Sequence, residues 1–117
     1  MIARHPGQVP AISGAVVHGG LVYTAGLVAP SVLAGAGTGI EQQVGEVLDL
    51  LGTVLAGAGS DLAAVLRLEA YLADTADLPA WNAGFTRIWP SEPPARTTVA
   101  LTLAAPGALV EIQAVAA

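Results

Sequence analysis

Arg96-Thr97-Thr98-Val99-Ala100-Leu101-Thr102-Leu103 and, beyond a break at Pro106-Gly107, Leu109-Val110-Glu111-Ile112-Gln113-Ala114-Val115-Ala116 read as two consecutive strands that decide the fold. Alternation along the first puts Arg96, Thr98, Ala100 and Thr102 on one face, and Val99, Leu101 and Leu103 on the other. Pro90 to Pro94 separates this pair from a helical pattern, with Asp77 and Pro79 in its first turn and a stripe of Leu78, Trp81, Phe85, Ile88 and Trp89. Further upstream, Val65 to Leu72 alternates as a strand: Leu66, Leu68, Ala70 and Leu72 against Arg67, Glu69 and Tyr71.

A longer helix precedes that strand. Thr38 and Glu41 have the spacing of a capping box, Val44, Val47, Leu48, Leu51 and Leu55 form one apolar stripe, and Gly57 and Gly59 offer a left-handed stop. Ser60-Asp61 starts a single turn. Nearer the start, Ala15 to His18 and Leu21 to Ala25 meet across Gly19-Gly20, a signal for a hairpin with a tight turn. A Gly/Ala/Pro-rich loop runs from Gly26 to Gly39, and the first residues, His5 among them, read as a frayed terminus. The order ββαβαββ is an α+β fold. Right-handed crossovers place both helices on one sheet face. The other face, also rich in apolar residues, then needs a covering, and self-association of sheets around a symmetry axis is the simplest one.

Composition points the same way. Of 117 residues, 54% are hydrophobic and 11% charged, and the mean hydropathy is +0.66, more apolar side chain than a small monomer can hide. Residues 1–117 read as a single domain. A membrane span is not expected, because charged residues and glycines interrupt every apolar run well short of about 20 residues. No basic leader with a long apolar core opens the chain, so the expected location is cytoplasmic. The chain has no cysteine, which excludes thiolate nucleophiles and Cys-ligated zinc. Its bases are Arg4, Arg67, Arg87 and Arg96, with no lysine, so Schiff-base and phosphate-loop lysines are excluded as well. A formal charge of -5 argues against nucleic-acid binding. His5 and His18 have no partner at metal-ligand spacing, and no metal is expected. The glycines at 35, 37 and 39 lack the endings of phosphate-binding loops.

Three residues stand out chemically. Arg96 lies among small and apolar neighbours, where a guanidinium needs an anion, and a carboxylate fits it bidentately. Glu111 lies inside the apolar run Leu109 to Ile112, a setting suited to acid/base work. Asn82 is a polar amide within an apolar helix stripe. A cross-strand ion pair between Arg96 and Glu111 accounts for their spacing as well as a functional pair does, and Asn82 fits a satisfied core amide equally.

Pro94-Ala95-Arg96-Thr97-Thr98-Val99 resembles the C-terminal signature of the reactive-intermediate deaminase family (RidA, also called YjgF), and Leu109 to Ala116 resembles its final strand. Gly19 to Val28, Glu69 to Asp74 and Trp81-Asn82 match it upstream, in the right order over almost the whole chain. The resemblance implies a fold similar to that of trimeric chorismate mutases, with three sheets enclosing a barrel-like centre and sites in the clefts between subunits. It implies hydrolysis of enamines and imines such as 2-aminoacrylate to 2-keto acids and ammonia, with no cofactor. Arg96 would clamp the substrate carboxylate and Glu111 would position water. The backbone of Thr98 would help hold the substrate, the backbone of Gly26 would lie beside the same pocket, and Asn82 would be a pocket asparagine. Two positions depart from the pattern: Ile12 stands where many members have tyrosine, and Ala25 where serine is common. Both changes make the pocket more apolar, which implies either an altered substrate preference or a module that binds a small carboxylate metabolite or a partner protein without catalysis. Some relatives have been described as ribonucleases, a role the acidic balance disfavours.

Overall fold

The structure, a computed structural model, describes residues Met1–Ala117. Seven strands form one sheet: β1 (Ala3–Pro6), β2 (Ser13–His18), β3 (Leu21–Thr24), β4 (Leu27–Val28), β5 (Val65–Leu72), β6 (Ala95–Ala100) and β7 (Val110–Ala116). The helices are α1 (Pro30–Leu33), α2 (Ile40–Gly57) and α3 (Leu78–Ile88). Strand order is β1-β2-β3-β7-β5-β6, and β4 pairs with β7. Only β5 and β6, joined through α3, run parallel. The architecture is α+β, as the sequence predicts, with three elements it does not announce.

Where local chemistry is strong, the elements form as expected. Gly19 and Gly20 have φ of 61° and 78°, the doubly left-handed turn that closes a two-residue hairpin. α2 ends on Gly59 at φ 83°, with its amide bonded to Ala56 and that of Ser60 to Leu55, the paired bonds of a glycine-terminated helix. Asp61 caps the following 3-10 turn by accepting from the Ala64 amide. Val44, Val47, Leu48, Leu51 and Leu55 are all buried against the sheet, and Trp81, Phe85 and Trp89 form a second buried row on α3. α2 and α3 approach closely at Gly84, where an added Cβ would strike Val44 Cγ1. Gly84→Val is therefore expected to destabilise the fold by about 1–3 kcal/mol through overpacking, read as a lowered melting temperature with an unchanged circular dichroism spectrum.

Other expectations fail for identifiable reasons. The N-terminal residues are not frayed: Ala3–Pro6 pair with β2, and His5 lies opposite Ala15. Thr38 and Glu41 do not form a capping box. Gly39 is the N-cap, and the Thr38 hydroxyl is bonded to that of Ser31 at 2.8 Å. The loop after Gly26 contains β4 and α1, anchored where Glu46 accepts from the Ser31 amide (3.0 Å) and from Gln42 (2.9 Å). These bonds, the Ser31 amide foremost, hold the Glu46 carboxyl below its ordinary pKa. A bulge between Val65 and Arg67 turns Leu66 out to solvent and puts Val65 in the core. The free sheet face also differs from expectation, because its middle is polar. The Tyr71 hydroxyl donates to Glu69 (2.8 Å), and Gln113 Nε2 bonds both Glu69 (2.8 Å) and Tyr71 (2.6 Å). Glu69 raises the Tyr71 pKa above its ordinary value. Apolar side chains such as Tyr23 and Val99 border this cluster and are exposed.

Candidate functional site

The registry divides the candidate residues between the two sides of the sheet. Leu68 lies beside Arg96 and Ala70 beside Thr98, while on the other flank of β5 they face Ala114 and Ile112. Laterally paired residues point to the same side, so Arg96 and Thr98 are on the helix-covered side, with the core. Tyr71 lies opposite Glu111 and beside Val99, which puts Glu111 on the free side. β5 separates β6 from β7, so the cross-strand ion pair is not made. Arg67 and Glu69, 3.6 Å apart, are the chain's one ion pair.

Around Arg96 the structure gathers α3 and the edge strand β6. Arg96 Nη2 donates to Asn82 Oδ1 at 2.8 Å, and the guanidinium carbon lies 4.7 Å from the centroid of the Phe85 ring. Asn82 is thus a holder of the arginine rather than a self-satisfied core amide. Phe85, read from sequence only as a stripe residue, lies beneath the guanidinium and attracts its charge through the ring face. Thr98 Oγ1 is covered and has no partner, so its hydroxyl is not presented to a ligand. The cationic group is held on one side and has no carboxylate of its own chain.

Glu111 belongs to a different assembly. It sits between Val28 of β4 and Tyr71 of β5. From Tyr23 to Leu27 the first partner advances four residues, while β7 advances three from Val115 to Ile112. The extra residue is a bulge at Ala25-Gly26, the kind of irregularity that re-aims a strand beside a site. Thr24 bridges the break: its hydroxyl accepts from the Ala114 amide and donates to the Ala25 carbonyl, each at 2.9 Å. Gly26 is held against the carboxylate so closely that a Cβ there would meet Glu111 Oε2. Gly26→Ala should therefore displace the Glu111 carboxylate, read as a shift of its carboxyl resonance in NMR, while the melting temperature changes little.

Ile12, Ala25 and Gly26 line a cavity of about 300 Å3 with Glu111. Gln8 also lines it, held in place where its Nε2 donates to the Val28 carbonyl (2.8 Å) and its Oε1 accepts from the Val28 amide (3.2 Å). A second cavity of about 320 Å3, bordered by Tyr71, Leu103 and Gln113, also includes Gly26 and Glu111 in its lining. The 101–109 segment forming part of these walls is fixed by Gln43, fully buried in α2. Its amide donates to the Thr38 and Gly107 carbonyls and accepts from the Leu109 amide. Sequence reasoning missed Gln8, Thr24 and Gln43. A glutamine at a core position of the α2 stripe was the available signal for the last. No three His, Asp or Glu side chains converge as a metal site requires, and no helix is long and apolar enough to cross a membrane.

An α+β sheet with helices on one face, a glutamate tucked against a strand bulge and an arginine held on the edge strand together define the class of fold. Residues 4–117 match the family model described as Endoribonuclease L-PSP, and the chain belongs to this family, the YjgF/RidA family. It is similar to the mitochondrial protein mmf2 of Schizosaccharomyces pombe, with 33% identity over 88% of this chain and 84% of that one. It is also similar to the human 2-iminobutanoate/2-iminopropanoate deaminase, with 28% identity over 97% and 85%. Among solved structures, a YjgF family member from Neisseria meningitidis superposes with a TM-score of 0.85 at 32% identity, over 99% of this chain and 93% of that one.

Proposed function

We infer that the protein hydrolyses the imine form of small reactive enamines and imines, of the 2-aminoacrylate kind, at sites shared between neighbouring copies in a homotrimer. The observation that carries this reading is the state of Arg96: an oriented guanidinium with no carboxylate partner in its own chain. A substrate carboxylate completes it with two parallel hydrogen bonds. Family membership and the name of the human relative support the reaction class.

The reaction is R–C(=NH2+)–COO− + H2O → R–CO–COO− + NH4+. Arg96 binds the carboxylate and fixes the trigonal carbon. Glu111 accepts a proton from water as its oxygen bonds to that carbon and returns it to nitrogen as the C–N bond breaks; the remaining hydroxyl proton leaves as the carbonyl forms and is taken up by the departing ammonia as NH4+. The iminium carbon is already electrophilic, so orientation and proton transfer are sufficient, with no cofactor. Within one chain Arg96 and Glu111 lie on opposite sides of the sheet, so the two halves meet only if a neighbour supplies one of them. A cyclic arrangement of three copies does this and covers the apolar border of the free sheet face.

Two measurements test the reading. Mass in solution should correspond to three chains, and a monodisperse monomer would contradict it. Imines generated in situ by an amino-acid oxidase should decay faster with the protein present. Binding without acceleration across a panel of side chains would support the non-catalytic binding module instead.

A further inference from the structure

The cavity beside Glu111 has walls that are mostly apolar. Val9, Ile12, Ala25, Leu33, Ala104 and Ala105 supply most of its surface. Gln8, the one amide there, spends both ends of its side chain on the Val28 backbone. Glu111 is the only ionisable side chain in the lining. Ile12 and Leu33 are also half exposed, at 56% and 49%, which leaves a contiguous apolar surface in want of a cover.

We propose that this cavity receives the substrate's side chain and selects apolar groups of four or more heavy atoms, such as isobutyl or methylthioethyl, over methyl. The inference rests on the placement of Glu111 at the reacting carbon proposed above. A trigonal imine carbon has three substituents. Nitrogen and the attacking water belong with Glu111, and the carboxylate points to the neighbour's Arg96. The third substituent is left facing Ile12 and Leu33. A volume of about 300 Å3 equals roughly ten water-sized spaces, far more than a methyl group fills. A small side chain leaves most of the wall without contact partners, whereas a branched one removes that apolar surface from water. A hydroxyl or carboxylate on the side chain loses hydration against walls that are mostly apolar, and a carboxylate also meets the Glu111 carboxylate.

The test compares imines made from leucine and alanine by an amino-acid oxidase, using the assembled wild-type protein. It is paired with calorimetric binding of the corresponding 2-oxo acids, 4-methyl-2-oxopentanoate and pyruvate. The leucine-derived imine should have a kcat/KM higher by roughly tenfold or more, and its oxo acid should bind tighter by a similar factor, the scale of discrimination that apolar pockets reach. Leu33→Asn should narrow both ratios. Acceleration with no size preference, or with methyl favoured, would overturn the inference and leave imine hydrolysis standing. That is also the result expected if a neighbouring subunit's own side chains fill the cavity. Selective binding of the larger oxo acid without acceleration of any imine would support the cavity's selectivity and overturn the hydrolytic reading. Neither acceleration nor selective binding would overturn both.

Discussion

Arg96→Ala should fold and assemble normally yet lose roughly 100-fold or more in kcat/KM, the effect of removing one partner of a charge-assisted pair. The guanidinium is at the edge strand, so its loss exposes Asn82 and one face of Phe85 without opening a core cavity. Stability should move by no more than about 0.5 kcal/mol, as for ordinary surface changes. Arg96→Lys should recover only part of the rate, because an ammonium cannot donate two parallel bonds to a carboxylate while also holding Asn82 over the Phe85 ring. Steady-state kinetics on imines generated in situ, beside a thermal melt, separates loss of the clamp from loss of fold. Full activity in Arg96→Ala would remove Arg96 from the site.

Glu111→Gln should be the second severe variant, with turnover reduced by roughly 100- to 10,000-fold, the range general acid–base groups contribute. The amide is nearly isosteric, so it keeps its seat against Gly26 between Val28 and Tyr71, and it cannot accept a proton from water. Binding of a 2-oxo acid should survive better than turnover does, because the substitution leaves the proposed Arg96 clamp untouched. A variant that lost binding and turnover in equal proportion would mean that Glu111 holds the ligand rather than moving protons.

The legible parts of the fold were those specified by local chemistry. The Gly19-Gly20 turn, the glycine stop of α2, the α2 stripe and the Trp81-Phe85-Trp89 row all follow from spacing. β1 was hidden because four residues that include Arg4, His5 and Pro6 carry no strand pattern of their own; their pairing is dictated by β2. The capping box failed because Ser31, seven residues away, competes for the Thr38 hydroxyl, a contact no short-range rule detects. Leu66 was misplaced by a single bulge, since one extra residue reverses a strand's faces.

The candidate site was legible as a set of residues and illegible as an arrangement. Alternation along β6 and β7 shows which residues share a face within each strand. It cannot show that β5 lies between them in the registry that sends Arg96 to the helix side and Glu111 to the free side. Consecutive strands suggested an ion pair, and a parallel crossover removes it. Gly26 gave a clearer signal: a glycine closing a strand pattern marks a bulge or a close approach, and here it is both.

A site divided between two copies of one chain can be tested by mixing subunits. Arg96→Ala and Glu111→Gln proteins, each nearly inactive, would be unfolded together in equal amounts, refolded and assayed for imine hydrolysis. Random assembly in a symmetric ring gives about one intact site in four, so activity should return to about a quarter of the wild-type value. Activity that stays at the level of the separate variants, despite demonstrated exchange of subunits, would contradict a site in which Arg96 of one copy works with Glu111 of the next.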